Sequence, residues 1–121
     1  MIGVDIESIL RFNKLERRKD RNFLNRVFSA RELEYCYSKK NPAPHLAARF
    51  AGKEAINKAF LSNGHSPLPQ KEIEILNDSN GAPYVNIKSD SSKDQNYVIE
   101  ISLSHNDKNA VAFVVMLTKN K

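Results

Sequence analysis

The sequence has little cysteine, little glycine and no long apolar run, and each shortage excludes a class of protein. Cys36 is the only cysteine among 121 residues, so an internal disulfide is impossible and a reducing compartment, the cytoplasm, is expected. We predict that Cys36 is a small buried side chain. No stretch approaches the ~18 apolar residues of a membrane span. Met1 to Asp5 does not resemble a secretory signal.

The same shortages exclude several kinds of site. Four glycines are too few and too scattered to form a glycine-rich phosphate loop. The sequence also contains no cysteine-rich metal pattern and no nucleophile elbow. The length, 121 residues, is typical of one domain, which we assign to residues 1–121. A domain this small makes a shallow cleft, or one that another subunit completes.

Positive charge is concentrated near the N-terminus. Residues 11–26 contain seven basic and two acidic side chains, and this excess of five positive charges equals the net charge of +5 of the whole chain. Such a segment favours an acidic partner, although a solvated helix face is the simpler alternative. A nucleic-acid-binding module would need aromatic side chains beside the bases for stacking. Phe12 and Phe23 are the only candidates and both suit a core, so we predict neither a nucleic-acid nor a membrane partner.

The hydrophobic period changes from helical to alternating along the chain. In the first half it predicts a strand at 1–6, a helix capped by Ser8 that continues to about Lys19, a helix at 29–38 with a capping box, and a long helix at 45–62. In the second half it predicts strands at 72–76, 84–87, 98–103 and 110–117, with a mobile loop at 89–96. Helices first and strands last indicate an α+β domain with a mainly antiparallel sheet.

Three residues attract attention for their chemistry. Asp5 ends an apolar strand, where a lone carboxylate is costly unless it is paired, caps a helix or binds a metal. Glu54 and Lys58 lie four residues apart on the long helix and share a face. By spacing alone, an ordinary exposed ion pair, worth about 0.3–0.5 kcal/mol, is the better explanation of Glu54 and Lys58.

A combination of motifs is more specific than any one of them. In order they are Gly3-Val4-Asp5-Ile6, Phe28-Ser29 with Glu32, the run from Arg49 to Ala55 with Lys58-Ala59, Gly81-Ala82-Pro83, and Leu103-Ser104-His105. Along nearly its whole length the chain therefore resembles the acyl-carrier-protein synthase family of 4′-phosphopantetheinyl transferases. The resemblance implies an α+β fold and transfer of phosphopantetheine from coenzyme A to a serine of an acidic acyl carrier protein.

The resemblance also implies roles for individual residues. Asp5 and Glu54 match the family's Mg²⁺ ligands, and Lys58 matches the lysine that faces the pyrophosphate. The match places the coenzyme A contacts at Arg49, Lys53, Lys58, Gly81, Pro83 and His105. It places the carrier-docking helix at Arg11, Lys14, Arg18 and Arg21. Family members form homotrimers with active sites between subunits.

The chain departs from the family pattern at three places, of which the mild one is Gly52, where the family usually has another small residue. The acid that usually follows three residues after the aspartate is replaced by Ser8, and Glu7 is one position early, so we assign Glu7 no role. The segment Leu61-Ser62-Asn63-Gly64 replaces a phosphate-contacting turn. The catalytic base is either Glu54 or a metal-bound water, and the sequence leaves both open. A two-metal phosphohydrolase would need more carboxylates than Asp5 and Glu54 supply.

Overall fold

The computed structural model describes residues 1–88 and 97–119, and the predicted loop at 89–96 lies outside the described residues. The helices are α1 (Ile9–Asn13), α2 (Arg21–Val27), α3 (Ala30–Tyr37) and α4 (Ala43–Ser62), followed by a short 3₁₀ turn at Gln70–Glu72. The strands are β1 (Ile2–Ser8), β2 (Ile73–Asn77), β3 (Pro83–Ile87), β4 (Tyr97–His105) and β5 (Asn109–Thr118). This arrangement confirms the predicted α+β class.

Two antiparallel sheets accompany the long helix. β5 lies between β1 and β4 in a three-stranded sheet, while β2 and β3 form a separate hairpin. Successive residues of β1 alternate between the sheet faces, so Gly3, Asp5 and Glu7 face inward while Ile2 and Val4 face outward. Helix α4 packs on the inner face, against β1 and β5. No helix in the described part of the chain is long and apolar enough to cross a membrane.

Helix α4 joins two hydrophobic clusters. Its first half, ending at Phe50, packs with the short N-terminal helices, including Phe12 of α1 and Leu24 of α2. Its second half, from Ala51 on, packs with the sheet, including Val114 of β5. Helix α4 is therefore buried along most of its length, with 14 of its 20 residues shielded from solvent, as expected of a helix at the centre of a domain.

Strand β1 approaches α4 unusually closely at Gly3. A Cβ atom at this position would lie 2.8 Å from the carbonyl carbon of Ala55 and closer still to its oxygen. Both obstructing atoms belong to the helix backbone, which cannot move aside as a flexible side chain can. Gly3 therefore sets the spacing that brings the inner face of β1, with Asp5, against α4.

The structure differs from the sequence-based prediction around the first helix. β1 continues to Ser8, whose side chain makes no capping hydrogen bond, and α1 ends at Asn13 rather than near Lys19. In the following turn the Asp20 carboxylate accepts a hydrogen bond from the Glu16 backbone N–H at 2.8 Å. That bond offers the backbone an alternative to helix, and the chain restarts as α2.

The other predicted boundaries differ by only a few residues. The capping box is confirmed, because Ser29 Oγ accepts from the Glu32 N–H and the Glu32 side chain accepts from the Ser29 N–H. Helix α4 begins at Ala43, two residues earlier than predicted, with Pro44 inside its first turn. A proline is tolerated there because its missing N–H would have no helical partner. The strand predictions agree with β2 to β5 within one or two residues at most ends.

We predict that Gly3→Ala lowers the free energy of unfolding by at least about 2 kcal/mol, since the added methyl group overlaps helix backbone. Urea denaturation followed by circular dichroism measures the loss. Ser8→Ala, at the exposed end of the same strand, is the control and should change stability by less than about 0.5 kcal/mol. Equal stability of Gly3→Ala and the wild type would contradict the close-approach argument.

Candidate active site

Acidic side chains meet where β1 crosses α4. Asp5 and Glu7 lie two residues apart on β1 and therefore share its inner face. Lys58 of α4 donates to Asp5 Oδ1 at 3.0 Å and to the Val4 carbonyl at 3.1 Å. Glu54 lies one turn earlier on α4, close enough for its charge to act on Glu7. The structure thus brings Asp5, Glu54 and Lys58 together, as predicted.

Asp5 has one oxygen that the protein leaves unsatisfied. Oδ1 pairs with Lys58, but Oδ2 is buried and, while Glu7 is ionised, accepts no hydrogen bond from the described residues. A buried carboxylate oxygen without a partner is unfavourable, and a cation relieves the cost. Carboxylate oxygens are the donors that Mg²⁺ prefers, and Mg²⁺ keeps several waters or substrate oxygens among its ligands. Asp5 and Glu54 therefore fit a magnesium site that substrate oxygens and water complete.

The described residues do not form a complete metal centre by themselves. No group of three or more histidine, cysteine, aspartate or glutamate side chains within them is arranged to hold an ion. This suits a hard cation that binds through one or two carboxylates together with phosphate oxygens.

Glu7 interacts electrostatically with Asp5 and Glu54, although the sequence predicted no role for it. Burial, together with a hydrogen bond that the protonated Glu7 carboxyl donates to Asp5 and the negative charge of Asp5, raises the pKa of Glu7 to about 7, while the nearby charge of Arg11 opposes the shift. Arg11 NH1 lies 3.3 Å from Glu7 Oε1. The spacing of two residues on one strand was the signal that could have placed Glu7 beside Asp5.

Lys53 lies in the interior rather than at a ligand surface. Its side chain is 0% exposed, and its ammonium donates to Glu32 Oε1 at 2.7 Å, to the Gln70 carbonyl at 2.9 Å and to the Ile73 carbonyl at 2.5 Å. Burial lowers the pKa of Lys53, and the charge of Glu32 opposes the shift. All three ammonium protons are used. The structure therefore contradicts the predicted contact of Lys53 with coenzyme A, because the Lys53 ammonium is buried and binds groups inside the protein.

A second buried carboxylate extends this internal network. Glu74 accepts from Arg31 Nε at 3.1 Å and NH2 at 2.6 Å, from Ser29 Oγ at 2.6 Å and from Asn86 Nδ2 at 3.1 Å. Burial alone raises the pKa of Glu74, but the hydrogen bonds from Arg31, Ser29 and Asn86 outweigh it and lower the pKa to about 2. Glu74 and Glu32 together tie α3 and α4 to the β2–β3 hairpin.

The remaining predicted contacts line one open cleft. Its volume is ≈ 210 Å³, and its walls include Arg49, Asn77, Gly81, Pro83 and His105. Arg49 donates to the Asn77 side-chain oxygen and to the His45 carbonyl, while its buried Nε has no partner in the described residues. Gly81 has a φ of 85°, which favours glycine in this turn. The cleft thus collects four of the six residues predicted to contact coenzyme A.

The predicted docking residues lie on the surface but not on one helix. Arg11 is in α1, Lys14 caps the end of α1, Arg18 lies in the turn that follows and Arg21 begins α2. All four are exposed. The prediction that they occupy one continuous helix is wrong, because the helix breaks at Asn13. They still belong to one short basic stretch of chain next to Glu7, since Arg11 pairs with it.

Comparison with known proteins identifies the family of the chain. The sequence profile of the 4′-phosphopantetheinyl transferase superfamily matches residues 1–114. The chain belongs to the 4′-phosphopantetheinyl transferase superfamily.

Individual members of the superfamily match over almost their whole length. The holo-[acyl-carrier-protein] synthase of Thermodesulfovibrio yellowstonii is 44% identical over 95% of this chain and 96% of its own. The enzyme of the same name from Aquifex aeolicus is 41% identical over 99% of this chain and 100% of its own. The crystal structure of the Helicobacter pylori synthase in complex with coenzyme A is 32% identical, has a TM-score of 0.78, and covers 97% of this chain and 100% of that one.

Membership in the superfamily defines two tasks that the site must perform. A phosphopantetheinyl transferase must bind an anionic nucleotide substrate and move a phosphoryl-linked group from it. The cleft around Arg49 can accept an anion, because none of the residues that line it is acidic. The corner formed by Asp5, Glu54 and Lys58 places carboxylates and an ammonium side by side, an arrangement that can stabilise charge during group transfer.

We predict that Glu7→Gln stabilises the metal-free protein at pH 8 and changes it little at pH 4. The folded state holds a proton on Glu7 up to about pH 7, whereas the unfolded chain releases it near its ordinary pKa, about 4.3. The contribution of Glu7 to stability is therefore full below the unfolded pKa and is lost as the pH rises to about 7.

The measurement is urea unfolding from pH 4 to pH 8 in excess chelator. The glutamine variant should lose less stability than the wild type across this interval, because an amide does not titrate. Glu16→Gln, an exposed residue in the turn after α1, is the matched control. Parallel pH profiles for the wild type and Glu7→Gln would contradict the assignment.

Proposed function

We propose that the chain transfers 4′-phosphopantetheine from coenzyme A to a serine of an apo acyl carrier protein in a Mg²⁺-dependent reaction. Adenosine 3′,5′-bisphosphate is the second product. The observation that carries the proposal is the position of two sites on one rigid helix. Arg49 of α4 lines the cleft, and Lys58 of α4 contacts Asp5. Arg49 and Lys58 are nine residues apart in sequence, which corresponds to about 13.5 Å along the helix axis.

An extended substrate can therefore occupy both sites at once. The cleft accepts the nucleotide end of coenzyme A, and the Asp5–Glu54 corner accepts the pyrophosphate. Asp5 and Glu54 would hold Mg²⁺ there, and the ion would supply positive charge to the phosphates of the substrate. Lys58 donates hydrogen bonds toward the oxygen of the leaving phosphate. Glu54 accepts the proton of the attacking serine hydroxyl, either directly or through a water molecule.

One assay tests the reaction itself. Apo carrier protein, coenzyme A and Mg²⁺ are incubated with the enzyme, and the carrier is analysed by intact-protein mass spectrometry. The expected result is a carrier heavier by one phosphopantetheine group, with a Ser→Ala carrier unchanged. A carrier of unchanged mass after incubation with folded enzyme would reject the proposed function.

We predict that Asp5→Ala and Glu54→Ala each reduce turnover at least about a hundred-fold, the scale expected when a transition-state contact is lost. Both variants should fold, since Asp5 and Glu54 are only partly buried. Excess chelator should inactivate the wild type, and Mg²⁺ or Mn²⁺ should restore it. Lys71→Ala, an exposed residue of the 3₁₀ turn, is the control. Full activity of the wild type in chelator would contradict the metal role.

We further propose that the enzyme is a homotrimer in the cytoplasm, with its active sites between subunits. The support for assembly is an apolar outer face on the three-stranded sheet. Its large side chains are exposed by 38–64% in the single chain, and they are Ile2, Val4 and Ile6 of β1, Val98 of β4, and Phe113 and Leu117 of β5. Val4 and Phe113 are paired directly across the strands. A contiguous apolar patch of this kind is typical of a protein–protein interface.

We predict that Phe113→Lys converts the oligomer to monomers, because a charge in an apolar interface must be desolvated. Light scattering coupled to gel filtration measures the mass. Leu61→Lys is the matched control, since Leu61 is 56% exposed but lies on α4 rather than on the sheet. A wild type that is monomeric and fully active at assay concentration would contradict the trimer.

The basic residues between α1 and α2 are the proposed docking surface for the acidic carrier. Arg17 and Arg21 line an open groove against α3, and Lys14 and Arg18 are exposed beside it. Arg11 differs from these residues, because its guanidinium pairs with Glu7 and lies 4.8 Å from the centre of the Phe50 ring. A charge reversal at Arg11 would therefore disturb the Asp5–Glu54 corner as well as the docking surface.

We predict that Lys14→Glu with Arg18→Glu raises the KM for the carrier about ten-fold or more and leaves the KM for coenzyme A nearly unchanged. Rim charges act mainly on association, so added salt should raise the carrier KM more for the wild type than for the variant. The control with the same charge change is Lys71→Glu with Lys88→Glu, at the end of the β2–β3 hairpin away from Gly81. An unchanged carrier KM would show that the basic stretch is only a solvated surface.

A further inference from the structure

His45 forms part of the cleft wall, although it belongs to none of the sequence motifs that predict functional residues. It is the third residue of α4 and lines the cleft together with Arg49 and His105. Its ring is half-buried and packs edge-on against two aromatic neighbours, Tyr35 at 5.8 Å and His105 at 6.4 Å between ring centres. The position of the His45 ring is therefore fixed by its neighbours before any ligand binds.

The surroundings of His45 are positively charged and contain no carboxylate. The groups that face it are Arg49 on its own helix, Lys39 after α3, Tyr35 on α3 and His105 on β4. In the described residues, no hydrogen bond engages either ring nitrogen of His45, and Arg49 Nε is buried without a partner. Donors that converge on one cleft without a carboxylate are suited to an anion.

We propose that His45 is a specificity-determining residue that, with Arg49 and His105, binds the 3′-phosphate monoester of coenzyme A and becomes protonated as the phosphate binds. This inference rests on the proposed function, because it assumes that coenzyme A is the ligand of the cleft. The pyrophosphate belongs to the Asp5–Glu54 corner, so the second anionic group of the substrate is the one left for the cleft.

The charges around the His45 imidazole explain why it takes up a proton when the phosphate binds. Burial, together with the charges of Arg49 and Lys39, lowers the pKa of His45 in the free protein, so its ring is neutral near pH 7. A phosphate monoester carries nearly two negative charges at that pH. Its approach favours the imidazolium, which donates from both nitrogens. The proton comes from solvent, so the affinity for coenzyme A should rise as the pH falls from 8 toward 6.5.

Calorimetric titration tests this directly. Coenzyme A and dephospho-coenzyme A, which lacks only the 3′-phosphate, are titrated into the wild type at pH 8.0 and 6.5, in two buffers with different heats of ionisation. The wild type should prefer coenzyme A, more strongly at pH 6.5, with net proton uptake. His45→Phe preserves the edge-on packing and should reduce that preference about ten-fold, the scale of a hydrogen bond to a charged group, with less proton uptake.

The conservative variant separates hydrogen bonding from titration. His45→Gln should recover part of the preference for coenzyme A, but without its pH dependence. Equal weakening of both ligands in His45→Phe would indicate a merely structural role and overturn the proposal. An unchanged preference and unchanged proton uptake would also overturn it. A wild type that binds neither ligand would instead reject the proposed function, so the two failures are distinguishable.

Discussion

The buried ion pair between Glu32 and Lys53 is the constraint on which the site depends. Glu32 caps α3 through the Ser29 N–H, accepts the Lys53 ammonium, and accepts the Ile75 backbone N–H of β2 at 2.9 Å. One carboxylate thus fixes two helices and a hairpin relative to one another. Removal of one partner of such a pair typically costs about 3–5 kcal/mol, because the other charge stays buried and unpaired.

The geometry of α4 carries this constraint to the reacting groups. Lys53 holds the helix from one side, while the next residue, Glu54, is directed toward β1 on another. At the β1 side, Gly3 allows the strand to lie almost against the Ala55 carbonyl. The helix therefore can neither rotate nor retreat without breaking a buried ion pair or opening a gap. Preorganisation of this kind lets charged groups stabilise a transition state without rearrangement.

Periodicity and motifs predicted the α+β class, the capping box at Ser29 and the extent of α4, because these depend on local residue order. The resemblance to the family predicted that Asp5, Glu54 and Lys58 share one site. Burial was harder to infer: Lys53 is adjacent to Glu54 in a charged motif, and only the tertiary fold shows that its partners are Glu32 and two carbonyl groups. The break after Asn13 was missed because the Asp20 side chain, seven residues later, competes for the helix backbone.

The order of the strands has a consequence for how the protein is made. Asp5 is held in β1, which in the described part of the chain pairs with β5 alone, with Asp5 opposite Ala112. A ribosome must therefore synthesise the chain through β5 before β1 can pair. Pairing between such distant segments is slow, because the entropy of closing a long loop is lost before the contacts form. Until then the apolar residues of β1 have no sheet to join, and the nascent chain is vulnerable to aggregation.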